Sequence, residues 1–268
     1  MASNKDRILA HYEDYTNRAG EDNRASSSRS AGLEFHYTKQ AMQEHINSNT
    51  RVLEVGCGTG YYGLHFANLC KEYVGLDLFP HHVEIFQDKI QKQGLKNVSC
   101  ALGDATKLEQ IEDQSFDVVC CFGPMYHLPP EERELVFAEC RRVAKAGGVV
   151  AFAYTCVVGV YAGACVHDEG RADYPSQQAN EAILGKGTSD VRPGVFYFTM
   201  PEEMEAAAAR HGLSKIRNTG TDFFFTISII DNMDDARFEL FMKLSDEMVK
   251  YESCTGMSNH ALLICRKN

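Results

Sequence analysis

Beginning at Val52, the apolar run Val52-Leu53-Glu54-Val55 breaks into glycines on alternate positions, Gly56-Cys57-Gly58-Thr59-Gly60. The residues that follow carry Tyr62, Phe66, Leu69 and Cys70 on one helical face. Alternating glycines let a backbone turn sharply, and leave no Cβ between it and a ligand at the start of the next helix. A strand, a tight turn and a helix in this order open an α/β sheet whose ligands sit at the carboxyl ends of the strands.

The unit then repeats. A second strand, Tyr73 to Asp77, precedes a helix opened by Pro80, faced by Val83, Phe86 and Ile90, and stopped by Gly94. A third, Val98 to Leu102, ends in Gly103-Asp104, and a fourth, Phe116 to Phe122, ends in Gly123-Pro124. Pro129-Pro130-Glu131-Glu132 starts a helix with Val136, Cys140 and Val143 inward, closed by Gly147-Gly148 before a strand from Val149 to Tyr154. Strands alternating with helices predict an α/β fold with a doubly wound, parallel sheet, and right-handed crossovers put every strand-to-helix turn on one edge.

Outside this core the rhythm weakens. The polar run from Gly20 to Ser30 cannot nucleate a core and reads as a mobile loop or lid, followed by a helix from Leu33 to Ile46. From Cys156 to Met200 the pattern is lost, and an excursion of that length is functional or disordered. Order returns with the capping pattern Thr199-Met200-Pro201-Glu202 and a helix to Gly212. Late strands, Ser214 to Thr219 and Ala261 to Arg266, flank a helix from Asp234 to Lys250.

The 268 residues carry a net charge of -10, which gives no electrostatic footprint for DNA, RNA or anionic lipid. No apolar run approaches the roughly 20 residues of a membrane span, and the first residues lack the apolar stretch of a secretion signal. The expectation is a soluble, cytoplasmic protein. The 10 cysteines include no CxxC pair and read as reduced, buried small hydrophobes. Cys120 and Cys121 occupy opposite faces of a strand, and His81 and His82 point apart on a helix, so no metal is expected.

Three acids then qualify the glycine turn. Gly58-Thr59-Gly60-Tyr61-Tyr62-Gly63 also satisfies a dinucleotide fingerprint, with Asp77 about 20 residues on, where a ribose-binding acid belongs. Glu54, however, lies inside the first strand just before the glycines, where a carboxylate suits an ammonium group better than a pyrophosphate. Asp77 ends the second strand and can accept from ribose hydroxyls; Asp104 ends the third and can accept from the amine of adenine, with Phe122 or Ala105 as apolar cover.

With these residues in place the chain resembles the class I S-adenosylmethionine-dependent methyltransferases from about Arg51 to Tyr154: VLEVGCGTG, VGLDL, GDAT, FDVVCCFGPMYHL and RRVAKAGGVV. It is most similar to small-molecule members with a GPxYHL segment after strand four and an LEF-type segment before strand one, here Leu33-Glu34-Phe35. The resemblance implies a seven-stranded, mostly parallel Rossmann-like sheet with an antiparallel final strand within Asn259 to Arg266. It implies S-adenosyl-L-methionine as cofactor, with Glu54, Gly56, Gly58 and Gly60 on the methionine moiety, Asp77 on the ribose and Asp104 on the adenine. Residues 1–45 would form an N-terminal lid and 46–268 the methyltransferase domain, with 155–200 a substrate-side insertion.

The expected reaction moves a methyl group to nitrogen or oxygen of a small-molecule acceptor in an in-line displacement, for which alignment supplies much of the rate. Tyr126 and His127 are the candidates for aligning the acceptor and removing a proton; alternatively, His127 only hydrogen-bonds to backbone. Tyr12, Tyr15, Tyr161, His167, Tyr174 and Phe196 are candidate lid residues that equally suit core packing. Enzymes acting on nucleobase amines carry an Asn/Asp-Pro-Pro-aromatic turn where this chain has Gly123-Pro124-Met125-Tyr126, so no nucleic-acid partner is expected. Neither is a membrane partner, and the chain should be a monomer or homodimer. Two other functions remain: a protein that binds the cofactor without catalysis and recruits or regulates a partner, and a nicotinamide-dependent dehydrogenase, which Glu54 and Asp104 disfavour.

Overall fold

A computed structural model describes residues 3–18, 20–166, 195–223 and 227–268. Seven strands form one sheet in the order β3-β2-β1-β4-β5-β7-β6. They are β1 (Arg51–Val55), β2 (Glu72–Asp77), β3 (Val98–Leu102), β4 (Phe116–Phe122), β5 (Ala144–Thr155), β6 (Leu213–Gly220) and β7 (His260–Lys267). The first five pair in parallel, whereas β7 runs antiparallel to both β5 and β6. This is the doubly wound, Rossmann-like sheet with an antiparallel final strand that the sequence predicts.

Helices cover both faces, because the central strands are apolar on both. Leu53, Val55, Cys121 and Phe152 join one buried cluster with Val136, Phe137 and Cys140 of the helix Pro130–Val143. Val52, Cys120 and Ala151 join the other with Phe66, Tyr73 and Phe86. The neighbours Cys120 and Cys121 therefore face opposite layers, as strand alternation requires. The described cysteines are free thiols, most of them buried.

Before β1 come α1 (Asn4–Arg18), a 3-10 helix (Glu21–Ser26) and α2 (Arg29–Gln43). The polar run from Gly20 to Ser30 thus forms a 3-10 helix and opens α2, with Ser28 capping it by accepting from the Ala31 N–H at 3.1 Å. It needs no core of its own, since Arg24 lies over the Phe35 ring, 4.6 Å from its centroid. Strand β5 begins at Ala144 and not at Val149, because a register shift between Phe116 and Val118 lets Ala144 pair ahead of the glycines. Of the long excursion, Val157–Val166 is helical and Val195 onward packs back on the domain; His167 and Tyr174 lie outside the described residues, as do the side chains of Tyr15 and Tyr161. No helix among the described residues is long and apolar enough to cross a membrane.

Candidate active site

The turn after β1 is built by contacts that require glycine. Gly56 has φ +82°, and a Cβ there would stand 2.5 Å from Pro124 Cδ. At Gly60, φ +88°, a Cβ would enter the Phe86 ring at 2.0 Å. The N–H groups of Gly56 and Cys57 both donate to the Leu76 carbonyl, at 2.7 and 3.0 Å, which ties the turn to the end of β2. Gly56 and Gly58 line a cavity of about 690 Å³ at the carboxyl edge of the sheet. Gly60 is not among the residues lining it; it caps the helix Tyr61–Phe66 and leaves room for Phe86.

The three acids at the ends of β1, β2 and β3 line that single cavity, with Ala105 and Phe122. Glu54 is 1% exposed and accepts from the Tyr73 hydroxyl at 2.6 Å. Burial raises its pKa to about 8, outweighing the Tyr73 hydrogen bond, and neighbouring Asp77 pushes it the same way. Among the described residues it forms no ion pair, so it is a buried carboxyl suited to a cation brought by a ligand. Asp77 accepts from the N–H groups of Gly58 (2.8 Å) and Phe79 (2.9 Å), with His82 Nδ1 3.3 Å away, which fixes its orientation and leaves acceptor sites for hydroxyls. Asp104 accepts from Thr106 N–H and Oγ1, at 3.0 and 2.7 Å, and from Lys5 Nζ at 3.0 Å, so α1 reaches the third acid. These hydrogen bonds hold its carboxyl below the usual range against the opposing effect of burial.

Beyond β4, Tyr126 and His127 sit on the short helix Pro124–His127, both buried and both lining the cavity. His127 Nδ1 is 2.9 Å from the Val195 carbonyl, which can only accept, so Nδ1 carries the proton. Nε2 is then the lone-pair nitrogen, and the Tyr12 hydroxyl, 2.8 Å away, donates to it. Burial lowers the His127 pKa to about 4, which keeps the ring neutral. One residue thus makes the backbone contact and lines the cavity. Phe196 also lines the cavity, its ring 4.9 Å from that of His127.

Tyr126 leads to a cluster that the motifs do not single out. Its hydroxyl donates to Glu34 Oε1 at 2.9 Å, while Arg24 Nη1 donates to Glu34 Oε2 at 2.9 Å and Arg24 Nε to Glu21 at 2.7 Å. Burial alone would raise the Glu34 pKa, yet His260 and Arg24 bring it down to about 2. His260 is held by Asp222, which accepts its backbone N–H and its Nδ1, both at 2.6 Å. The sequence did hold a sign of this cluster: Glu34 is a carboxylate in an apolar segment, as Glu54 is, and His260 heads an apolar strand. His81 and His82 do point apart, one exposed beside Glu84 and one buried against Asp77.

Comparison with known proteins places this geometry. Residues 52–148 match the model of the methyltransferase domain family. An uncharacterized methyltransferase, YcgJ of Bacillus subtilis, is 32% identical over 98 residues, 37% of this chain and 38% of that protein. A demethylmenaquinone methyltransferase of Lactiplantibacillus plantarum is 33% identical over 123 residues, 44% of this chain and 51% of its own length. The chain thus spans about half or less of the curated relatives it matches. In structure, the cyclase SpnF superposes with a TM-score of 0.64 over 99% of this chain and 97% of its own at 17% identity, a likeness of fold. Residues 52–148 are thus similar to the methyltransferase domain family, and the sheet order and glycine turn agree with that likeness.

Proposed function

We propose that the protein binds S-adenosyl-L-methionine at the ends of β1, β2 and β3 and transfers its methyl group to a nitrogen or oxygen of a small-molecule acceptor. The observation that carries this reading is that Glu54, Asp77 and Asp104, from three adjacent strands, line one cavity with the glycine turn. A phosphate-bearing dinucleotide would meet three carboxyl groups there; a cationic nucleoside meets complementary ones. Glu54 faces the ammonium, Asp77 the ribose hydroxyls, and Asp104 the adenine amine, for which Lys5 must yield one oxygen. Ala105 and Phe122 supply apolar walls.

When bound, the sulfonium supplies an activated methyl, and the carbon–sulfur bond breaks as the bond to the acceptor forms. The protein's part is alignment and exclusion of water. Tyr12, His127 and Phe196 close the acceptor side, and neutral His127 presents a lone pair for the proton of an O–H or N–H acceptor once the Tyr12 hydroxyl moves aside. Residues 1–45 act as the lid, since Lys5, Tyr12 and Arg24 reach the site from α1 and the 3-10 helix. Residues 155–200 act as the substrate-side insertion, of which Phe196 is the described part at the cavity. The net charge of -10 supports a partner other than nucleic acid.

A second reading keeps the donor site and omits the transfer; the 32% identity over 105 residues to a protein of Talaromyces variabilis named an S-adenosyl-L-methionine-dependent Diels-Alderase favours it. Titration calorimetry with S-adenosylhomocysteine and with NAD tests the donor: tight binding of NAD alone overturns both readings. Incubation with methyl-labelled donor and a panel of small amines, phenols and acids separates the two. Label in a product supports methyl transfer, and donor binding with no labelled product across the panel supports the second reading.

A further inference from the structure

His260 stands at the start of β7, and β7 lies three strands from β1 in the sheet order. At about 4.8 Å per strand that is a lateral separation of roughly 14 Å from the strand of Glu54, beyond the half of the edge occupied by the three acids. Its side chain lines the cavity, 5.6 Å from the Tyr126 ring between centroids. Asp222 grips it twice, through the backbone N–H and through Nδ1, and Asp222 is fixed in turn by its N–H donating to Ser258 Oγ at 3.0 Å. With Nδ1 so engaged, Nε2 has no hydrogen-bond partner among the described residues and opens on the cavity.

We propose that His260, clamped by Asp222, is the residue that binds the methyl acceptor, and that it selects small acids that present a carboxylate or phenolate oxygen to its Nε2–H. The inference rests on the reading that the donor occupies the β1–β3 half of the cavity. The groups around the ring make it a donor and not a base. Asp222 lies at 2.6 Å and Glu34 at 3.9 Å from Nδ1, while Arg24 is the opposing cation, paired to Glu34. The two acids outweigh burial and Arg24, and hold the imidazole protonated, its pKa raised to about 9. A protonated imidazole backed by a carboxylate makes a charge-assisted hydrogen bond to an anionic oxygen. Glu34, occupied on both oxygens by Tyr126 and Arg24, leaves that bond to His260.

The test uses the full chain saturated with S-adenosylhomocysteine, and benzoate, para-nitrophenolate and neutral benzamide as probes. Nitrogen-15 spectra of the imidazoles at neutral pH are expected to show His260 doubly protonated, with Nε2 shifting on addition of benzoate or para-nitrophenolate and not of benzamide. A shift with one anion alone assigns that class of oxygen. His260→Gln should weaken the anion by about tenfold or more with the affinity for S-adenosylhomocysteine unchanged. Asp222→Asn should lower the His260 pKa in the same spectra. Failure of S-adenosylhomocysteine to bind the wild-type chain refutes the donor reading. With that ligand bound, a neutral His260, equal binding of anions and benzamide, binding of none of the probes, or an unweakened variant each overturns the acceptor proposal.

Discussion

At the scale of single residues, the proposed donor site includes buried carboxyl groups whose partners differ. Asp77 is already oriented by two backbone N–H donors, so its loss removes a preformed acceptor and not merely a charge. Asp77→Ala should weaken S-adenosylhomocysteine by about 1 to 3 kcal/mol in calorimetry, the scale of hydrogen bonds to a charged group; unchanged affinity would remove it from the donor site. Glu54 carries a second prediction. Its pKa rises from 4.5 to about 8 on folding, so its contribution to stability is complete below 4.5 and is lost as pH climbs through 8. Glu54→Gln keeps an acceptor for Tyr73 but cannot ionise. The melting temperature of the variant relative to wild type should therefore rise between pH 5 and pH 8, while its affinity for the ammonium-bearing ligand falls. A constant difference across that range would show that Glu54 ionises freely in the empty site. His127→Gln should cost about 100-fold in turnover with donor affinity intact, if proton removal limits the rate; wild-type turnover leaves the ring a wall.

At the scale of elements, α1 shows most clearly why part of the site was hidden. Few of its residues are apolar; Ile8 joins the core and Tyr12 packs against it, and polar contacts help hold the helix on the sheet edge. Lys5 meets Asp104, Asn4 donates to the His127 carbonyl at 3.0 Å, and Tyr12 donates to His127 Nε2. Such contacts have no periodicity, so nothing in the residue pattern marks α1 as a helix over the cavity. The buried parallel strands are the reverse case: Val52-Leu53, Val118-Val119 and Val150 to Tyr154 read as continuous apolar runs because both faces are covered, and their positions were legible. Glu54 and Asp77 were legible for the same reason, standing out against that background, whereas Asp104 follows the more exposed edge strand β3 and was marked by the Gly103-Asp104 turn. Alternation of glycines does not by itself tell which of them meets a ligand; the structure adds that a Cβ at Gly60 would meet Phe86. The Lys5–Asp104 pair is half exposed on the lysine side and should contribute under about 1 kcal/mol. Lys5→Ala should leave the melting temperature almost unchanged and raise hydrogen exchange in residues 4–18 alone; faster exchange in β1 as well would mean that α1 is part of the core.

At the scale of the molecule, the cluster of Arg24, Glu34, Tyr126, His260 and Asp222 fastens the N-terminal segment to the last strand, across the whole chain. Its pH signature follows from two opposite shifts. Glu34, lowered from 4.5 to about 2, contributes stability above 4.5 that is lost as pH falls toward 2; His260, raised from 6.5 to about 9, contributes below 6.5 and is lost as pH climbs through 9. The cluster is therefore strongest between about 4.5 and 6.5. Donor binding should add to this by mass action, about 2.7 kcal/mol at a hundredfold excess over Kd, visible as a melting temperature raised by several degrees.

The most direct measurement is a crystal structure of the full chain grown with S-adenosylhomocysteine. The expected arrangement has the amino group at Glu54, both ribose hydroxyls on Asp77, and the adenine amine at Asp104 with Lys5 displaced from one oxygen. A nucleoside bound with these three carboxyl groups turned away from it, or bound outside the glycine turn, would contradict it.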